Sequence, residues 1–277
     1  MTSFRPKGSI LMPTIEKGLS RRDFFNGAAT FVGGAVAAST TFPASAQSVK
    51  AAFDPSYDPR INGVNFITSV KDQDDPNPCN SCTAFAVVAA VEGTLNRKSG
   101  TPGTRGPDLD ELDLFSAPQG PGNCDVDHWW PRKALRYCEN PGLKKTGSSD
   151  RVMIKPPKDL LVDNNVNLTQ KNMKEHIFNT GPVIAIMVQY EDFFTFGDTF
   201  SGTSNDLVYR IGKRRPPRIV GGHAIAVVGY SKDDHWICKN SWGDGWNGDG
   251  YVRIAQGKNN TAETYIDCID VWGVEIA

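Results

Sequence analysis

The chain has almost no net charge, few histidines and no long apolar run, and each shortage excludes something. Thirty basic against 31 acidic side chains leave a formal net charge of −1. That balance gives no electrostatic reason to expect nucleic acid or an anionic membrane as a partner. The short basic run KRRPPR at 213–218 contains two prolines and reads as a solvated loop. Beyond the N-terminal region no segment approaches the ~18 consecutive apolar residues of a membrane span, so the mature chain is expected to lack one. Neither an internal repeat nor a low-complexity block is present. What remains is 277 residues, 39% hydrophobic and 22% charged, enough for one large domain or two modest ones with a proper core.

The first 46 residues read as a processing segment. Ser20-Arg21-Arg22-Asp23-Phe24-Phe25 precedes a mildly apolar, Gly/Ala-rich stretch from Gly27 to Thr41, and Ala44-Ser45-Ala46 supplies a small-x-small cleavage site. This is the pattern of a bacterial export signal, and paired arginines ahead of phenylalanine resemble the twin-arginine type. The expected destination is the periplasm or the medium, an oxidising setting in which the six cysteines can form disulfides.

Two of those cysteines lie in PNPCNSCTAFAVVAAVEG (76–93). Cys-x-x-Cys at the mouth of a helix can be a redox dithiol, half of a zinc site, or a disulfide partner beside a catalytic thiolate. Spacings of three and four predict helices over about 82–97, 129–139 and 169–179, the last with Thr169 as N-cap. The Pro/Gly/Asp-rich stretch 101–123 reads as surface loop. From 183 onward the pattern turns to strands at 183–190, 224–230, 235–240 and 250–255, rich in β-branched and aromatic residues. Residues 47–165 are therefore expected to form a mainly helical subdomain and 166–277 a mainly β one, an α+β arrangement with a cleft between them.

Histidine is scarce: His128, His176, His223 and His235 are all there are. His176 and His235 read as structural or exposed. His223 opens the apolar strand GGHAIAVVGY, and Asn240 and Trp242 follow in KNSWGDGWNGDGYVRI. A cysteine, a distant histidine and a following asparagine can act as nucleophile, proton shuttle and imidazole orienter. His223 and Asn240 lie 141 and 158 residues beyond Cys82, near the roughly 130–150 known for one such family.

Four islands in order carry a resemblance to the papain-like cysteine peptidases: SVKDQ (69–73), CNSCTAF (79–85), GHAIAVVGY (222–230) and KNSWGDGW (239–246). The resemblance implies a two-subdomain fold with a helical first half and a β-barrel-like second half. It implies thiol-dependent peptide hydrolysis through an acyl-enzyme thioester, with no cofactor and no metal. By it, Cys82 is the nucleophile at a helix N-terminus, favoured as thiolate by the dipole and a neighbouring imidazolium. His223 is the base and acid, Asn240 the orienter, and Trp242 the shield of their hydrogen bond. Gln73 and the Cys82 backbone N–H are the oxyanion donors; loss of one such donor costs roughly 10²–10³ in turnover. The partner is a peptide or protein substrate, and the chain is expected to be a monomer.

The resemblance also implies a Cys79–Cys124 disulfide. Cys238 and Cys268 pair if their strands adjoin, which leaves Cys138 as a buried thiol. Three departures mark this chain: Thr83 stands where the family has tryptophan, the Gln73-to-Cys82 spacing is longer, and Asn123-Cys124-Asp125-Val126-Asp127 replaces a glycine-rich loop. Side chains at Asp125 and Val126 are expected to narrow or charge the cleft, and Val183 and Ala185 are read as lining of an apolar specificity pocket or as core. Rival readings are a thioredoxin-like Cys79/Cys82 dithiol, a zinc site from Cys79, Cys82, Cys124 and His128, a papain-fold scaffold without catalysis, and an acyl transferase on the same thioester.

Overall fold

A computed structural model of the chain describes residues 54–75, 79–118, 120–124, 129–196, 207–210, 217–257, 266–267 and 269–277. Among these, five α-helices are α1 (Cys82–Ser99), α2 (Glu111–Phe115), α3 (Pro131–Glu139), α4 (Val166–Asn179) and α5 (Glu191–Phe196). The strands are β1 (Leu143–Lys144), β2 (Arg151–Val152), β3 (Lys158–Asp159), β4 (Val183–Tyr190), β5 (Val208–Tyr209), β6 (Ile219–Tyr230), β7 (His235–Lys239), β8 (Tyr251–Ala255) and β9 (Asp270–Gly273). β1 and β2 pair alone, and the other seven form one sheet in the order β3-β9-β4-β6-β7-β8-β5. Every neighbouring pair in that sheet is antiparallel except β5 with β8. The fold is α+β, as expected, but the described strands make a mixed sheet and no closed barrel.

The sheet separates two cores. On one face Val87, Val88 and Val91 of α1 pack with Ile184 and Ile186 of β4, Ala224 of β6, and Leu135 of α3. On the other, Met173 and Ile177 of α4 pack against Val183, Ala185 and Met187 of β4 and Ile225 and Val227 of β6. Each such aliphatic side chain contributes roughly 1.5–3 kcal/mol by leaving water. Val183 and Ala185 are fully buried in the second core, so they are packing residues and not the lining of a specificity pocket.

Local chemistry sets the helix limits. Gly100 closes α1 in the left-handed conformation, its N–H reaching Arg97 and Asn96 carbonyls. Pro131 opens α3 at a position where its missing N–H costs nothing. α4 begins earlier than expected because Asn165, not Thr169, is the cap: its Oδ1 accepts from Leu168 N at 3.0 Å. Thr169 instead accepts from Val162 N at 2.9 Å and is fully buried. The stretch expected as surface loop contains α2, capped by Asp110 and anchored by buried Leu109, Leu114 and Phe115.

A buried charge cluster ties the segments around α1 together. Glu92 accepts from Thr68 Oγ1 at 2.6 Å, Leu109 N at 2.8 Å and Lys71 Nζ at 3.1 Å. Lys239 Nζ donates to the same Thr68 hydroxyl at 2.9 Å. Burial pulls Lys239 down to about 8 and pushes Glu111, paired with Lys71, up to about 7.

Candidate active site

Cys79 is bonded to Cys124, and Cys82 is a free thiol. This settles the Cys-x-x-Cys: the two cysteines are not a dithiol pair, and Cys79 and Cys124 are spent, so neither the thioredoxin-like nor the zinc reading holds. Cys138 and Cys238 are also free and buried. The expected Cys238–Cys268 bridge is therefore corrected: Cys238 sits in the middle of β7's buried pattern, inside the second core. Cys268 lies outside the described residues, as do His128, Asp125 and Val126.

Cys82 is the first residue of α1, so its thiol stands at the positive end of the helix. Its strongest influence is nevertheless burial, which pushes it up to about 11, against the backbone N–H groups of Ala224 and Thr83. Those contacts place the sulfur beside the residue that follows His223. Thr83 donates its hydroxyl to Trp129 O at 2.6 Å, so the residue that replaces the family tryptophan pins the start of α1 to the segment leading into α3.

His223 lies in β6, and its Nε2 is 2.8 Å from Asn240 Oδ1. Because an amide oxygen accepts, that contact puts the imidazole proton on Nε2 and leaves Nδ1 as the basic atom. Burial pulls His223 down to about 4, with the Asn240 bond acting the other way. For both Cys82 and His223 burial acts toward the neutral form, while the helix start at Cys82 acts toward the thiolate. Asn240 is set by the end of β7 and by its own N–H, which donates to Gly250 O at 3.0 Å. Gly250 has φ +76°, and a Cβ there would meet Val70 at 2.6 Å, so glycine is required for that approach.

Trp242 lies over the imidazole at 4.9 Å between ring centroids. It is stacked on Phe194 at 5.4 Å and edge-on to Phe193 and Trp246 at 5.6 and 5.1 Å. Phe193 and Phe194, in EDFFTF just after β4, escaped the sequence reading; their adjacency to a strand end was the available signal. Gln73 is drawn to the same place by a bridge between Asp72 and Trp242. Its N–H donates to Ser241 O at 2.8 Å, its Oε1 accepts from Ser241 Oγ at 2.7 Å, and its Nε2 donates to Cys79 O at 2.8 Å. Of the two other histidines within the described residues, His176 is buried against Gly273 and His235 bonds Asp234 at 3.0 Å.

Residues 53–269 match the family model described as papain family cysteine protease. The chain belongs to the papain family of cysteine proteases. It is 27% identical to cathepsin L2 of Homo sapiens over 70% of this chain and 59% of that one. It is also 27% identical to the thiol protease aleurain of Arabidopsis thaliana over 92% of this chain and 73% of that one. Among solved structures it superposes on bromelain from Ananas comosus in complex with the E64 inhibitor, TM-score 0.58 and 23% identity, covering 81% of this chain and all of that one. A digestive procathepsin L 3 of Tenebrio molitor gives TM-score 0.59 at 23% identity over 83% and 72% of the two chains. These structural matches speak for the fold, and the chain spans 59% of the length of cathepsin L2.

Proposed function

We propose that the chain is a cysteine peptidase that cleaves peptide or protein substrates, as a monomer and without a cofactor. The observation that carries this is the 2.8 Å His223–Asn240 contact beside a free Cys82 at the start of α1. In the reading, Nδ1 of His223 takes the Cys82 proton as sulfur bonds the scissile carbonyl carbon. The oxyanion is held by the Cys82 N–H and the second N–H of Gln73. The carbonyl–nitrogen bond then breaks, His223 protonates the departing amine, and a thioester remains. Water attacks the thioester, gives its proton to His223, and the sulfur leaves with that proton. Trp242 keeps bulk water from the His223–Asn240 bond. An amine replacing water at the last step would make the same site a transferase.

The rival reading, a papain-fold binding scaffold without catalysis, is not favoured by the match to a family of cysteine proteases. Titration with the alkylating inhibitor E-64, followed by intact-mass analysis, separates the two. The expected result is one adduct, on Cys82, abolished in His223→Ala. Folded protein that takes up none favours the scaffold.

We further infer that residues 1–46 export the chain from a bacterial cell by the twin-arginine route to the periplasm or medium. The support is the Arg21-Arg22 pattern with its cleavage site, together with a Cys79–Cys124 bond of the kind that persists in oxidising compartments. No helix among the described residues is long and apolar enough to cross a membrane. The exported protein should begin at Gln47, and Arg21→Lys/Arg22→Lys should hold it in the cytoplasm. Equal export of both chains overturns the signal.

A further inference from the structure

The longer Gln73-to-Cys82 spacing raises a mechanical question: what keeps Gln73 in place when the chain beyond it has extra length. Up to Gln73 the backbone is held from outside. Asp72 bridges Trp242, Gly243 N donates to Lys71 O at 3.2 Å, and Gln73 N donates to Ser241 O at 2.8 Å. Those bonds fix where the Gln73 side chain starts and not how its amide is turned. Two other contacts do that: Ser241 Oγ donates to Oε1 at 2.7 Å, and Nε2 donates to Cys79 O at 2.8 Å. The second bond spends one N–H on Cys79 and aims the remaining one. An amide turned over would present an oxygen where the oxyanion needs a donor. The position of the Cys79 carbonyl therefore decides whether Gln73 can serve.

Cys79 is held from several sides. Its sulfur is bonded to Cys124, and the next residue, Asn80, donates its N–H to Cys124 O at 3.2 Å. Its own N–H donates to Asp74 Oδ1 at 3.2 Å. That last bond closes the extra length. Asp74 directly follows Gln73 and reaches across to the same residue that the Gln73 amide grips. Asp74 is set in turn by its own N–H, which donates to Asp72 Oδ1 at 2.9 Å. Burial pushes the Asp74 carboxyl above its ordinary value, the Cys79 N–H pulls it down, and Asp72 adds to the rise. Its surroundings thus work against its charge, and what they use is its oxygen as an acceptor for Cys79.

We propose that Asp74 is a positioning residue for the oxyanion hole: by holding the Cys79 N–H, it keeps the Cys79 carbonyl where it orients the Gln73 amide. The proposal rests on the peptidase reading above. Asp74 acts through Cys79 and Gln73, so its effect exists only while Gln73 is present. An asparagine, whose amide oxygen also accepts, serves in its place.

The test measures turnover of a fluorogenic peptide by the full chain and by Asp74→Ala, Asp74→Asn, Gln73→Ala and Gln73→Ala/Asp74→Ala. Asp74→Ala is expected to lower kcat by roughly tenfold or more with KM little changed, part of the roughly 10²–10³ that a whole oxyanion donor is worth. Asp74→Asn should stay within about threefold of the parent, since it keeps the accepting oxygen. In the Gln73→Ala background, Asp74→Ala should cost less than about twofold more, because the group it positions is gone. E-64 labels a thiol by opening an epoxide, which forms no tetrahedral oxyanion, so its rate on Cys82 should be unchanged in Asp74→Ala. Equal falls in both backgrounds, no fall in either, or no rescue by asparagine overturns the proposal. So does an Asp74→Ala chain that fails to fold or loses E-64 labelling together with turnover, which would make Asp74 a residue of general structure. A parent chain that E-64 does not label overturns the peptidase reading itself, and the two failures are thereby told apart.

Discussion

At the scale of single residues, burial decides the chemistry of His223. Water is withdrawn from the ring, so its charged form is disfavoured and its value falls from the ordinary 6.5 to about 4. As a base, His223 works in the neutral form. Lowering its value therefore extends the neutral form to lower pH. The expected outcome is a kcat/KM profile on a peptide substrate whose acid limb falls through about 4, well under 6.5. A limb at 6.5 or above would show that the ring is hydrated in the working enzyme. Cys82, His223 and Asn240 were legible in the sequence because each lies in a short local motif whose order is preserved. Phe193 and Phe194 were not. Their local signal is only their place just after the end of β4, and their contacts with Trp242 are made in three dimensions.

At the scale of elements, β4 shows how a sequence can name an element and still hide its faces. VIAIMVQY is buried at every position, because helices cover the sheet on both sides, and such a run carries no alternation from which to choose a face. Val183 and Ala185 were thus read as core or pocket with equal right. Register with β6 decided it, placing them with Ile225 and Val227 on the α4 side. The start of α4 was misread for a related reason. Asn165 and Thr169 are both good caps, and the choice went to the residue whose oxygen meets Leu168 N, while Thr169 turned inward to Val162. α2 has five residues, too few to display a helical period, and was hidden in a stretch of loop-like composition.

At the scale of the whole molecule, the Glu92 cluster joins the segment bearing Gln73, the helix bearing Cys82 and the strand end bearing Asn240. Lys71 lies two residues from Gln73, and Lys239 immediately precedes Asn240. Glu92 is fully buried and accepts from Lys71, Thr68 and Leu109 N; removing it leaves Lys71 its Glu111 and Asp108 partners but strips the buried Thr68 hydroxyl and Leu109 N–H of their acceptor. Glu92→Ala is expected to lower unfolding stability by roughly 1–3 kcal/mol, the usual cost of a buried polar group left without its partner. Urea denaturation measures this, and a loss under about 1 kcal/mol would mean that the cluster is hydrated.

The sequence by itself determined the family, the α+β order of elements and the identity of the residues proposed to react. These are encoded in contiguous motifs and in local periodicity, which survive at low overall identity. The tertiary structure alone decided that Cys238 stays a free thiol, that the described sheet is not a closed barrel, and that Phe193 and Phe194 pack on Trp242 beside the imidazole. Each depends on which strand lies next to which and in what register. Those choices are fixed by long-range burial and pairing, for which a linear sequence carries no local signal.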